Sequence, residues 1–378
     1  MLSAQDRARL DALYDEMKAA NDVSLGYPAA KDFDYSLLDR FLSMPVNNIG
    51  DPFAEGTYRV TTREFEREVV QFFADLFRAP KDDWWGYVTN GGTEGNLYGL
   101  YLARELLPNG MVYYSEQTHY SVAKNLHFLG MRHITIRSET SGEIDYDDLR
   151  ETLKIHRDVP PIVFANIGTT MTEARDDIRK IAGIMDDLAI RQRYIHSDAA
   201  LSGGYAGFLD PRPHYDFEDG ADSVAVSGHK FLGAPIPCGV VIAKKQNVQR
   251  IARAIDYIGN LDTTISGSRN GVTPLMLWYR LEELGIEGIR KRLAHSLDLA
   301  GYLEKRLQAA SIDAWRNPNA ITVVFPRTSD AIRTKWQIAT AGSVSHAIVL
   351  PNVTREQVDA FADDLIADQM NKEPVCNT

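Results

Sequence analysis

Between residues 84 and 244, short apolar runs alternate with amphipathic ones, and this alternation restricts the fold more than any other property of the chain. The apolar runs are WGYVT, MVYYS, HITIRS, PIVFANIG, RYIHSDAAL, DSVAVSG and CGVVIAKK. Their length and near-continuous apolar character suit strands buried on both faces. Between them lie EGNLYGLYLARELL, SVAKNLHFLG, DYDDLRETLKIH and DDIRKIAGIMDDLAI, which read as helices. Strand and helix in turn predict an α/β fold, a mostly parallel sheet with helices on both faces. Ligands of such sheets bind beyond the carboxyl ends of the strands, so candidate sites are sought just after each strand.

Outside this region the pattern changes. An N-terminal helix places Leu10, Leu13, Tyr14 and Met17 at helical spacing and leads into a stretch punctuated by Gly, Pro and Asn. The run TREFEREVVQFFADLF, from about residue 62, puts Phe65, Val69, Phe72, Phe73 and Leu76 on one helical face. After residue 266 a long helical region extends to Ala310, followed by ITVVFP, WQIA and HAIVLP as strands and TREQVDAFADDLIADQM as a last helix. The expected division is therefore an N-terminal helical and extended segment (1–55), a large ligand-binding domain (56–265) and a small C-terminal α+β domain (266–378).

Charge and cysteine usage exclude some functions. With 378 residues and a formal net charge of −11, the chain is a poor partner for nucleic acid or an anionic membrane. Cys238 and Cys376 have neither metal-site nor disulfide-framework spacing, which fits a reducing compartment. No apolar stretch approaches the roughly 18 residues of a membrane span, and the N-terminus lacks a signal-peptide core. A cytoplasmic protein without a metal centre is expected.

Five stretches follow strands and carry polar side chains suited to chemistry. In SVAVSGHKFLGAPIPCG, Lys230 ends an apolar run, where partial desolvation would lower its pKa and make it a nucleophile toward a carbonyl. Gly228 allows close backbone approach there, and Ser227 and His229 offer donors. In YIHSDAALSGGY, Asp198 is followed by Ala199 and Ala200, so a carboxylate stands beside residues small enough for a flat ring. In VTNGGTEGN, a strand runs through Gly91, Gly92 and Thr93 into a helix, a start at which free N–H groups bind phosphate. His119, in SEQTHYSVAKNL, lies between strand and helix and can stack on an aromatic ligand or cap the helix. Thr169, in ANIGTT, is a candidate contact to a ring substituent.

Each stretch alone is compatible with an ordinary turn or cap. One ligand unites them: a phosphate for Gly92, Thr93, Ser227 and His229, a flat ring between His119 and Ala200, a protonated ring nitrogen for Asp198 and an aldehyde for Lys230. That ligand is pyridoxal 5′-phosphate.

The motifs TNGGTEGN, THYSVAK, NIGTT, HSDAAL and VSGHK resemble those of the pyridoxal-phosphate-dependent group II amino-acid decarboxylases, and the likeness runs through nearly the whole chain. WGYVTNGGTEGN, GEIDYDDL, GSRNG, TPLMLW and ITVVFP are similar above all to bacterial histidine decarboxylases. The resemblance implies the aspartate-aminotransferase (fold type I) architecture. It also implies that Lys230 bonds the cofactor aldehyde, Asp198 pairs with the ring nitrogen and His119 stacks on the ring. Gly92, Thr93, Asn166, Thr169, Ala200, Ser227 and His229 complete the cofactor contacts by the same likeness, and Tyr27 and Ala320 border the substrate. A homodimer with shared active sites is implied as well, with association into a tetramer left open. Two positions depart from the pattern: Val272 stands where His is expected, and Ala320 where close histidine decarboxylases have Ser. The stretch KWQIA…HAIVLPNVT is also similar to plant serine decarboxylases.

The expected reaction is decarboxylation of an L-amino acid, L-histidine to histamine. The alternative within the same chemistry is L-serine, or another small amino acid, giving ethanolamine in the case of serine. An aminotransferase or aldolase on the same scaffold would need an arginine for the substrate carboxylate, and Arg269 and Arg316 are the open candidates. A decarboxylase gains nothing from clamping that group tightly, because the ground state is stabilised too. Tyr257 lies in RAIDYIGNLDTTISGSR, which reads as a mobile loop, and related decarboxylases use a loop tyrosine to return a proton to Cα.

Overall fold

The computed structural model describes residues 2–255 and 260–370. Strands β1 (Trp84–Thr89), β2 (Met111–Ser115), β3 (His133–Ile136), β4 (Pro161–Asn166), β5 (Tyr194–Asp198), β6 (Ser223–Ser227) and β7 (Gly239–Lys244) form one sheet in the order β1-β7-β6-β5-β4-β2-β3. The β2–β3, β2–β4, β4–β5 and β5–β6 pairs are parallel. β7 runs antiparallel to both of its neighbours. Six strands therefore point the same way, and their carboxyl ends share one edge.

The helices follow the sequence pattern: α1 (Ala4–Val23), α2 (Arg63–Leu76), α3 (Gly92–Leu106), α4 (Ser121–Leu129), α5 (Tyr146–Ile155) and α6 (Ile178–Asp187). After β7 come the single-turn α7 (Lys245–Val248) and two short strands, β8 (Arg253–Ile255) and β9 (Asn260–Asp262), which pair antiparallel. The run read as a loop thus contains a strand pair; Tyr257 itself lies outside the described residues. α8 (Val272–Ala309) is broken at Gly285, whose φ of +56° lies outside helical space. Beyond it, β10 (Thr322–Pro326), β11 (Ala339–Ala341) and β12 (Val344–Ile348) form an antiparallel sheet in the order β10-β12-β11, with α9 (Asp330–Trp336) and α10 (Arg355–Met370). WQIA is not a strand: Trp336 closes α9, Gln337 turns the chain at φ +52°, and pairing begins at Ala339.

The chain divides into two units, Ala29–Leu293 and Met1–Pro28 with Ala294–Thr378, rather than at residues 55 and 265. Long-range backbone bonds explain the difference. In the smaller unit, Leu25 donates its N–H to the Trp336 carbonyl at 3.1 Å and accepts the Ile348 N–H at 2.8 Å. Gly26 is needed beside it, because a Cβ there would lie 2.1 Å from the Gln337 carbonyl oxygen. In the larger unit, Tyr35 and Leu38 form an apolar cluster with Leu275 and Met276 on the first half of α8. The first half of α8 therefore belongs with the large sheet.

α3 packs over β5, β6 and β7. It approaches closely because its sheet-facing positions are glycine: a Cβ on Gly99 would stand 2.1 Å from His196 Nδ1, and one on Gly92 2.7 Å from Ser227 Oγ. This docking lets one helix supply both a ligand-facing end and a buried polar contact to the sheet. Among the described residues no helix is long and apolar enough to cross a membrane.

Candidate active site

The carboxyl ends of β1, β2, β4, β5 and β6 bring the expected residues to one edge. β1 leads through Gly91, with φ +131°, into α3, and no side chain caps that helix start. Its first N–H groups are the donors that an anion satisfies. The Glu94 carboxylate in this first turn is engaged elsewhere, accepting Tyr87 Oη at 2.9 Å and the Asn90 N–H at 2.9 Å. Asn125 on α4 donates to the Thr93 carbonyl at 3.1 Å, which fixes the turn; the Thr93 side chain is exposed. Ser227 stands across from Gly92, and His229 Cε1 lies 3.8 Å from the place a Gly91 Cβ would take. His229 Nδ1–H donates to the Cys238 carbonyl at 2.8 Å, so the ring is held against the start of β7.

His119 follows β2. Its Nδ1 accepts the Ser121 N–H at 3.3 Å and the Ser121 hydroxyl at 2.8 Å, so it does touch the start of α4. Burial lowers its pKa; Asp198 opposes that shift, and Lys230 and Lys124 add to it. The imidazole is consequently neutral, with its proton on Nε2. A side chain can thus fix a helix start and still present a ring face.

Asp198 closes β5 and Lys230 follows β6. Burial pushes the Asp198 carboxyl above its ordinary value, while the Ala200 N–H, Lys230, Asn96 and His119 pull it back. Burial pushes the Lys230 ammonium below the lysine range, and Asp198 opposes this. A buried amine and a buried acid thus face each other's field at adjacent strand ends, a pattern typical of functional sites. The Asp198 oxygens are partly spoken for: Oδ1 accepts the Ala200 N–H at 3.0 Å and Oδ2 accepts Asn96 Nδ2 at 2.8 Å.

Lys230 sits in a wide π-turn, His229–Gly233, whose carbonyls are held from outside. The Lys230 carbonyl accepts the Ala30 N–H at 3.0 Å, Phe231 accepts Arg292 at 2.7 Å, Leu232 accepts Arg280 Nε at 3.0 Å, and Gly233 accepts the Tyr35 hydroxyl at 2.7 Å. Asp32 pairs with both arginines.

Other expected residues have different surroundings. Asn166 lies opposite Asp198 in the β4–β5 register, but its amide donates to Ser115, Thr118 and the buried Asp176. The Thr169 hydroxyl is committed to its own turn, bonding the Thr172 hydroxyl at 2.9 Å and accepting the Ala174 N–H at 3.0 Å. Tyr27 and Ala320 belong to the smaller unit; Tyr27 is 61% exposed, whereas Ala320 is fully buried and its carbonyl accepts Arg316 Nη1 at 3.0 Å. Val272 packs against the Tyr35–Leu275 cluster. Both candidate carboxylate-binding arginines are engaged, Arg269 with buried Glu66 and Arg316 with Glu304 at 2.8 Å. The sequence reading missed Asn96, His196, Arg280 and Arg292. The first two had a faint signal: Asn96 lies one helical turn after Gly92, and His196 shares a strand face with Asp198.

The chain matches the pyridoxal-dependent decarboxylase conserved domain over residues 21–325. It is 55% identical over 365 residues to the histidine decarboxylase of Mesorhizobium japonicum, covering 97% of this chain and 99% of that protein. It is 47% identical over 370 residues to the histidine decarboxylase of Morganella morganii, covering 97% and 98%. The crystal structure of L-methionine decarboxylase from Streptomyces sp. 590 superimposes with a TM-score of 0.89 at 29% identity, covering 97% of this chain and 95% of that one. The fold is that of the type I pyridoxal-phosphate enzymes. The chain belongs to the pyridoxal-dependent decarboxylase family, and it is a carboxy-lyase that uses pyridoxal 5′-phosphate.

The residues present fit that cofactor. A Cβ on Gly92 would fill the space beside Ser227 and Ala200. The uncapped helix start suits a phosphate, and the depressed Lys230 ammonium suits an aldehyde.

Proposed function

We propose that the protein decarboxylates L-histidine to histamine and CO2. The observation that carries the substrate is the likeness to proteins named histidine decarboxylase, at 47–55% identity over 97% of the chain. Bound pyridoxal phosphate supplies the electron sink for the charge left on Cα when CO2 departs. The protein's part is positional and electrostatic. Gly92, Thr93, Ser227 and His229 hold the phosphate. Asp198 would keep a proton on the ring nitrogen, which deepens the sink, and His119 and Ala200 would flank the ring. Asn166 and Thr169 are assigned to the remaining cofactor contacts. Lys230, its ammonium pushed below the lysine range by burial, would be the amine that bonds the aldehyde. Tyr257 is assigned the return of a proton to Cα. Tyr27 and Ala320 are assigned to the substrate side.

The engagement of Arg269 and Arg316 with glutamates favours decarboxylation over amino transfer, since neither guanidinium is left to a substrate carboxylate. Val272 and Ala320, which depart from the histidine decarboxylase pattern, keep L-serine decarboxylated to ethanolamine as the second reading.

The protein is also proposed to be a cytoplasmic homodimer. Leu10, Leu13, Tyr14 and Met17 on α1 are all exposed, and α1 buries no residue, so the apolar face of this helix calls for a partner.

The test is incubation of the purified holoenzyme with each of the twenty amino acids, scoring CO2 and amine. Histamine from L-histidine alone is the expected result. Ethanolamine from L-serine, without histamine, overturns the substrate.

A further inference from the structure

Behind Asp198 lies a file of buried polar groups that the reaction does not call for. Tyr194, His196 and Asp198 occupy one face of β5, and Ser223 stands opposite His196 on β6. Tyr194 Oη lies 2.8 Å from Ser223 Oγ, which lies 2.7 Å from His196 Nδ1. His196 Nε2 lies 2.9 Å from Asn96 Oδ1, and Asn96 Nδ2 lies 2.8 Å from Asp198 Oδ2. Asn96, His196, Asp198 and Ser223 are all buried.

With Asp198 ionised, one arrangement of hydrogens satisfies every link. An ionised carboxylate only accepts, so the Asn96 amide group must face Asp198 and its oxygen must face His196. Nε2 then carries the imidazole proton, and Nδ1 accepts from the Ser223 hydroxyl. With that proton used, the Ser223 oxygen accepts from Tyr194. Every donor in the file points toward Asp198. Burial holds His196 neutral, its pKa lowered to about 3, as this order requires.

We propose that Asn96 and His196 are positioning residues that fix the Asp198 carboxylate, in its ionised form and in one rotamer, for a protonated ring nitrogen. With Oδ2 tied to Asn96 and Oδ1 to the Ala200 N–H, the carboxylate cannot turn, and its remaining lone pairs are left for the ligand. The proposal rests on the assignment of Asp198 to the ring nitrogen. It makes the file specific for that nitrogen and irrelevant to the phosphate and the aldehyde.

The test compares equilibrium affinity of the full-length apoprotein for pyridoxal 5′-phosphate and for its 1-deaza analogue, which has a carbon at the ring-nitrogen position. Asn96→Leu keeps the side-chain shape and removes both polar groups. It is expected to weaken the natural cofactor roughly tenfold or more while leaving the deaza analogue unchanged. His196→Leu is expected to act in the same direction, and His196→Gln, which can still donate to Asn96 and accept from Ser223, is expected to restore most of the difference. Should Asn96→Leu not fold, Asn96→Ser and His196→Leu carry the comparison. Equal loss for both ligands, or none for either, overturns the positioning role. Asp198→Asn separates the two readings: if it discriminates between the ligands and the Asn96 and His196 variants do not, only this proposal fails. If Asp198→Asn does not discriminate, the assignment of Asp198 fails and takes the proposal with it.

Discussion

Gly99 on α3 and His196 on β5 touch with no room for a methyl group between them: a Cβ at position 99 would stand 2.1 Å from Nδ1. Gly99→Ala must therefore push the helix off the sheet or turn the imidazole out of its file. The expected cost is at the upper end of the 1–3 kcal/mol range roughly seen for overpacked cores. Gly183 on α6 is the control, with open space where its Cβ would be. Gly183→Ala is expected to stabilise by about 0.5 kcal/mol. Urea midpoints of the two variants measure the contrast.

The buried imidazole also makes the fold sensitive to acid. An unfolded His196 takes up a proton near 6.5, whereas the folded one resists until about 3. Between those values the unfolded state binds the extra proton, so stability falls as pH drops from about 6.5 toward 3 and is unaffected above that window. Asp176 works the other way, its folded carboxyl keeping a proton up to about 6. The measurement is therefore a difference. The fall in urea midpoint from pH 7.5 to pH 5 should be shallower in His196→Gln than in the wild type.

The π-turn at Lys230 gives a third expectation. Tyr35→Phe removes the hydroxyl bound to the Gly233 carbonyl and is expected to cost about 1 kcal/mol. Arg280→Met strips the Leu232 carbonyl of its Nε donor and leaves Asp32 with Arg292 alone; its expected cost is larger, about 2–3 kcal/mol. Denaturation midpoints and the rate of cofactor loss on dilution check both.

Lys230→Ala should leave phosphate contacts in place yet abolish the covalent attachment. Borohydride treatment followed by mass spectrometry should find cofactor mass on the wild-type chain and none on the variant. Turnover should fall to a trace, because no amine remains at position 230 to bond the aldehyde.

Tyr257→Phe should bind cofactor as the wild type does and turn over more slowly, or release more aldehyde by-product. Unchanged kinetics would remove Tyr257 from the reaction.

The strand-end motifs were legible because each couples a local apolar run to a turn, and a parallel sheet gathers such turns at one edge whatever the order of its strands. Lys230, Asp198, His119 and Gly92 needed no knowledge of which strands are neighbours. Asn96 and His196 did. Their link exists only because α3 crosses the sheet and three of its positions facing the sheet, 92, 95 and 99, are glycine. The reversed direction of β7 was hidden for a similar reason: CGVVIAKK reads as a buried strand in either sense. The bonds of Leu25 and Gly26 to residues more than 300 positions away leave no local trace in the sequence. Arg280 and Arg292 looked like ordinary polar positions on a long helix, and only the fold reveals the carbonyls they serve.

The clamped turn sets a limit on how Lys230 can move. With four successive carbonyls tethered, its Cα is a fixed pivot, and the amine can travel only as far as the four torsions of its own side chain allow. Any approach of the amine to a bound aldehyde would then be a short swing of one arm over a stationary hinge.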